Sequence, residues 1–370
     1  MKALFCGDIS PTVDSGSAFG SGDYKALFTD VADLFRQCDV SIVNLECALT
    51  DHETQIKKIG PPLKAPIGTA KTLKDMGVTH CAISNNHFFD YGSKGALDTI
   101  KALDAAGLIH TGFGMNEADS RKDLVIEKDG QTLCVIAVCE HEYSYALEDR
   151  MGCRPFDAFE TPLDVRAAKE KYDRVVVLYH GGKEQCAYPS PRLRKACHAM
   201  AKSGADLILC QHSHCIGCYE MLGDSHILYG QGNFHFVRQK RSDLYGWNDG
   251  FGVFYDTKEN TVEFVPITRG QGLYMELAKG TKKEQILEGF RARSASLKDG
   301  TWMNGWIAFC ESMRDKYALA IKRFDDPEYC FKDEPGKKKG PQLFGHYLDC
   351  EAHQDVWRTL FPTFNHTNEK

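Results

Sequence analysis

The chain has 370 residues, 42% of them hydrophobic and 26% charged, the balance of an ordinary globular protein with a sizeable core. A net charge of -6 and a pI near 6.2 give no general attraction to nucleic acid or an anionic membrane. No apolar run reaches the roughly 18–20 residues of a membrane span, and Met1 leads straight into a strand-like run with no secretory leader pattern, so a cytoplasmic location is expected.

Residues 2–6 read as a strand ending in Gly7-Asp8. Residues 24–37 carry Leu27, Val31, Leu34 and Phe35 at helical spacing. Residues 40–43 form a short apolar strand ending in Asn44-Leu45-Glu46, and residues 51–66, which include Lys64, are a polar, proline-containing loop. A helix over 68–76 precedes a strand over 79–84 that ends in Asn85-Asn86-His87; a helix over 94–106 is closed by Gly107. Runs at 124–127 and 133–138 flank Asp129-Gly130, a hairpin signal. A helix over 162–171 leads to a β-branched strand, 174–179, ending in His180-Gly181-Gly182. A helix over 190–202 is followed by an apolar strand, 207–210, ending in Gln211-His212-Ser213-His214. Strands at 226–229, 251–255 and 261–266 complete a β-rich section.

The cysteines, an odd 15 in number and scattered, fit a reduced compartment better than a disulfide framework. Cys215-Ile216-Gly217-Cys218 lacks a second CxxC and is expected to be a structural pair in a strand. Beyond about residue 270 the pattern turns helical, at 282–294 and 301–324. The second run carries Trp302, Trp306, Phe309, Met313, Tyr317 and Ile321 as one apolar stripe, expected to dock on the main domain; a lid or a homo-oligomer contact is the other reading. Residues 333–340 (DEPGKKKG) read as a solvated loop and 355–364 as a final docking segment. The expected division is 1–270, then a mostly helical extension over 271–370 packed on it.

Strands alternating with helices imply βαβ units and a partly parallel sheet, in which ligands gather beyond the carboxyl ends of the strands. Five strands here end in a polar group: Asp8; Asn44 and Glu46; Asn86 and His87; His180; His212 and His214. A core needs none of these. Carboxylates, an amide and imidazoles delivered from separate strand ends are the pattern of an assembled metal site. His87 is placed to protonate a leaving group, and Asp90, three residues on, to orient its ring.

The order GD…NLE…NNHxxDYG…HGGxE…HSH…GNF resembles the capsule synthesis protein CapA (poly-γ-glutamate synthesis) family, which is similar to the calcineurin-like metallophosphoesterases. The resemblance spans roughly residues 1–267. It implies an α/β fold of mixed β-sheets sandwiched by helices in α-β-β-α layers, with a helical C-terminal extension. It also implies one or two divalent ions (manganese, iron, zinc or magnesium): Asp8 and His214 facing one, Asn86, His180 and His212 the other, and Glu46 bridging. His87 would be the proton donor. Asn44, Lys64, Asn85, Glu184 and Asn233 are the candidates for binding substrate or supporting the ligands. Metallophosphoesterases open with DxH; Asp8-Ile9-Ser10 lacks that imidazole. The activity implied is metal-dependent hydrolysis of a phosphate ester or a cell-envelope or capsule polymer precursor. Poly-γ-glutamate amide hydrolysis or transfer, and a non-catalytic capsule-assembly role, are the alternatives.

Overall fold

The computed structural model describes residues 1–140, 143–238, 246–323 and 340–362. Two β-sheets lie face to face. In the first, Lys2–Ile9 is flanked by parallel neighbours Val40–Leu45, His80–Ala82 and Ile109–Thr111 on one side. On its other side run antiparallel Asp249–Asp256, Thr261–Arg269 and Met275–Leu277. Asn233–His235 pairs in parallel with the end of the central strand, opposite Asp8 and Ile9. The second sheet has a parallel centre, Gln131–Cys139, Arg174–His180, Leu207–Gln211 and Ser225–Leu228, with antiparallel edges Leu124–Lys128 and Tyr219–Leu222.

Strand alternation explains the layering, because successive side chains point to opposite faces. Ala3, Phe5, Ile42 and Val253 of the first sheet meet Val135, Val176, Leu178 and Leu209 of the second in one buried cluster. The intervening residues face outward. Leu4, Val43 and Cys81 pack under helices Thr69–Met76 and Gly92–Ala105. Ile136, Val177 and Ile208 pack under helices Glu160–Lys169 and Pro191–Lys202, joined by Trp302, Trp306 and Val356 from the C-terminal region. This is the expected α-β-β-α arrangement, and the two-faced burial accounts for the nearly continuous apolar runs of the parallel strands.

Four details depart from expectation. Residues 24–37 form two 3-10 turns, Tyr24–Ala26 and Asp30–Gln37, because Leu27 and Thr29 exchange backbone hydrogen bonds with Met275 and break the helical ladder. The 301–324 run is two helices, Trp302–Ser312 and Arg314–Arg323, separated at Met313, and Ile321 falls on the exposed side, leaving the stripe shorter than expected. Cys215 and Cys218 are buried free thiols in the connection before Tyr219–Leu222, outside a strand, because Gly217 is held against Gly230 there. Residues 355–360 of the expected docking segment belong to a helix beginning earlier, Glu351–Leu360, and residues 363 and 364 lie outside the described residues. Residues 333–339 of the charged loop lie outside the described residues. Among the described residues every cysteine is a free thiol, and no helix is long and apolar enough to cross a membrane.

Candidate metal centre

The parallel strands bring their carboxyl ends together between the two sheets. Asp8 stands opposite Asn44 in one ladder and opposite Asn233 in another. A register shift between Cys6 and Asp8 turns the end of the first strand. Gly7 makes that packing feasible, since a Cβ there would meet the Gly232 carbonyl oxygen at 2.0 Å. Glu46, fully buried, follows Leu45 at the end of the second strand. His180 ends the Arg174–His180 strand, level with Gln211.

His212 and His214 converge through a sharp bend. Both adopt left-handed backbone, φ 80° and 54°, a conformation that costs a non-glycine residue roughly 1–2 kcal/mol. The His212 N–H donates to Asp8 Oδ2 at 3.0 Å, and the Gln185 N–H donates to the Ser213 carbonyl at 2.8 Å, so the bend is tied to the end of the first strand and to the loop after His180. Strain over-determined in this way is typical of functional sites.

The resulting groups share ligands. Glu46, His180 and His212 offer donor atoms all within 4.8 Å of one another, and so do Asp8, Glu46 and His214. Glu46 belongs to both. Glu184, His212 and His214 form a third such group. Glu46 Oε1 lies 3.4 Å from His180 Nε2 and 3.8 Å from His214 Nε2. Asn86 Oδ1 lies 2.9 Å from His180 Nε2, bringing the amide into the first group. The supporting residues are equally close. Asn44 Nδ2 donates to Asp8 Oδ1 at 2.7 Å and lies 3.0 Å from His180 Nδ1. Asn85 donates to the Leu45 carbonyl at 2.9 Å, and its own Oδ1 accepts the His87 N–H. Asn233 Oδ1 lies 2.9 Å from His214 Nδ1, and the Trp247 ring lies 4.5 Å from that imidazole.

The donor set fits a divalent cation. Both Glu46 oxygens are buried and make no hydrogen bond among the described residues, a costly state for a carboxylate unless a cation balances it. Burial raises the Glu46 carboxyl to about 7 against the pull of His214, and the nearby Asp8 charge adds to the rise. Burial also opposes ionisation of Asp8, but its hydrogen bond to His214 and the His180 charge outweigh it and hold the group at about 2. Burial lowers His214, but Glu46 and Asp8 prevail and lift it to about 10. Without a metal, protons on His214 and Glu46 do the balancing.

Beside this cluster His87 Nδ1 lies 2.7 Å from Asp90 Oδ2, which also accepts the Leu63 N–H at 2.7 Å. A residue not singled out from the sequence completes the group. Lys58 is buried, with Nζ 2.5 Å from Asp90 Oδ1 and 3.3 Å from both His87 Nδ1 and the Asn86 carbonyl. Lys64 lies apart from it, donating to the His52 carbonyl at 3.0 Å and to Glu53 at 2.7 Å.

The family model for the bacterial capsule synthesis protein PGA_cap matches residues 2–238, a stretch that contains every residue of this cluster. The chain belongs to the PGA_cap family. The capsule biosynthesis protein CapA of Bacillus anthracis is 28% identical over 60% of this chain and 58% of its own length, so the match spans little more than half of that relative. The PGA biosynthesis protein CapA of Bacillus subtilis is 28% identical over 78% of this chain and 76% of its own length. A crystal structure of a hypothetical protein from Thermus thermophilus aligns at 13% identity with a TM-score of 0.44, covering 73% of this chain and all of that one. In this PGA_cap chain the helices from Gly280 onward lie beyond the matched residues.

Proposed function

We propose that this PGA_cap protein is a metal-dependent hydrolase with two adjacent cation positions, acting on a phosphate ester or on a precursor of a capsule polymer. The observation that carries the reading is the sharing of Glu46 between two three-residue donor groups while both its oxygens make no hydrogen bond among the described residues. Asp8, Glu46 and His214 would hold one cation; Glu46, His180, His212 and Asn86 would hold the other. Divalent ions bound there supply charge neutralisation and an activated water.

The chain's own residues would do the rest. Asn44 fixes the orientation of the Asp8 carboxylate and the His180 ring. Asp90 holds His87 by Nδ1, leaving Nε2 to deliver a proton to the leaving group. The bond cleaved is then ester oxygen to phosphorus, with water adding at phosphorus and the proton passing to the departing oxygen.

The names of the relatives favour a second substrate, a γ-glutamyl amide, in which the same His87 would protonate the amine leaving group. One experiment tests both. Purified chain loaded with manganese or zinc is assayed against phosphate mono- and diesters and against γ-linked glutamate oligomers, beside His87→Ala and His212→Ala. Activity on either substrate class, lowered at least 100-fold in both variants, supports the proposal. Wild type and His212→Ala both found metal-free after loading would refute the centre itself.

A further inference from the structure

A cavity of about 540 Å³ has Gln185 in its lining, and the Gln185 N–H donates to the carbonyl of Ser213, between His212 and His214. One wall comes from the loops that carry candidate ligands. Gln185 directly follows Glu184, Tyr188 is four residues beyond it, and Ile216 is two residues beyond His214. The opposite wall is Arg293 of helix Gly280–Asp299 and Phe309 of helix Trp302–Ser312, both beyond the family-matched residues. The Tyr188 ring packs over Gly305, where a Cβ would meet Tyr188 Cε2 at 2.3 Å, so the close approach of that helix requires glycine.

Charge sets the chemistry of the ligand. Lys282, also in the lining, is neutralised by Asp249 at 2.8 Å. Arg293 donates through Nε to the Gly217 carbonyl at 3.2 Å; among the described residues its two terminal nitrogens make no hydrogen bond or ion pair. The half-buried guanidinium lines the cavity, with Nη1 lying over Gly289 of its own helix, and a planar guanidinium is the group that grips carboxylate or phosphate by two parallel hydrogen bonds. Lys316 lies close enough to Lys183 and Glu184 to feel both charges. Tyr188, Ile216 and Phe309 supply apolar contact for the chain joining such an anion to the reacting group.

We propose that this cavity is a recognition subsite for an oxyanion-bearing segment of the substrate, held by Arg293, with the scissile bond reaching the metal centre. The inference rests on the hydrolase reading for the words "substrate" and "scissile", while the binding itself does not. Calorimetric titration of the full chain, metal-free and manganese-loaded, uses γ-linked triglutamate and inorganic tripolyphosphate as probes. Either probe should bind the metal-free chain, and which one binds identifies carboxylate or phosphate as the anion. Arg293→Met should weaken that binding about 10- to 100-fold. Gln285→Trp, a lining position whose enlargement obstructs the cavity, should weaken it comparably with the fold intact. Arg293→Lys should fall between. Absence of binding by both probes, or unchanged binding in a folded Arg293→Met and in Gln285→Trp, overturns the inference. Arg293-dependent binding without any hydrolysis would sink the hydrolase reading and leave the subsite standing.

Discussion

Lys58 shows what a single residue contributes and why it was hard to see. An ammonium buried to this degree is stable only with acceptors around it, and it has the Asp90 carboxylate and the Asn86 carbonyl. It therefore fixes the carboxylate that fixes His87. In the sequence it is the second member of Lys57-Lys58, indistinguishable from a solvated pair in a polar loop, and its contacts cross about thirty residues. The strand-end residues were legible because each follows an apolar run; Lys58 follows none. Lys58→Met should leave Asp90 with a buried charge and only His87 and the Leu63 N–H to meet it. Removing one partner of a buried pair costs about 3–5 kcal/mol, so the urea midpoint should fall steeply. Lys58→Arg should not restore it, since the planar fork is larger than the enclosed space. A midpoint within about 0.5 kcal/mol of wild type would show that the pair does not hold the loop.

At the scale of elements, strands were legible and their terminations less so. Parallel strands buried on both faces announce themselves as apolar runs, but the turn at residues 27–29 depends on Met275, far along the chain. The loop after His180 is another case. Gly182 N donates to Glu140 Oε2 at 2.8 Å, and a Cβ on Gly181 would meet Glu140 Cδ at 2.5 Å. Glu140 is held in turn by Arg192 at 2.6 Å, and Arg192 by Asp355 of helix Glu351–Leu360 at 2.9 Å. Burial opposes ionisation of Glu140, but Arg192, Tyr179 and the Gly182 N–H outweigh it and lower its pKa. The C-terminal helix is thus linked, through two buried carboxylates and the half-buried Arg192 between them, to the loop after His180 that carries Glu184. Arg192→Met strands two buried carboxylates, and a loss of about 3–5 kcal/mol is expected in chemical denaturation. Because the His180 loop loses its anchor, metal affinity should fall by roughly 10-fold in the same variant, read by competition with a chelating dye. A destabilised variant with unaltered metal affinity would confine the link to packing.

For the molecule as a whole, the centre couples folding to protons and to metal. In the metal-free chain Glu46 is raised from its ordinary 4.5 to about 7, and His214 from 6.5 to about 10. Both changes mean that the folded state binds protons which the unfolded state has already released. Stability from His214 is then complete below pH 6.5 and disappears as pH rises toward 10, while Glu46 becomes a growing penalty between pH 4.5 and 7. Asp8, held at about 2, keeps its contribution throughout that range. These groups therefore make the metal-free melting temperature fall from pH 5 to pH 9. A cation competes with the same protons, so its binding strengthens as pH rises. Free metal at about 100 times its dissociation constant adds about 2.7 kcal/mol, an upward shift of several degrees. Differential scanning fluorimetry in chelator and in manganese, at pH 5, 7 and 9, should show a gap that widens with pH, and Glu46→Gln should close it at every pH. The widening follows from Glu46 being shared: its one proton blocks both donor groups, so its loss opens both positions together. A gap that narrows with rising pH would place the metal away from Glu46 and His214.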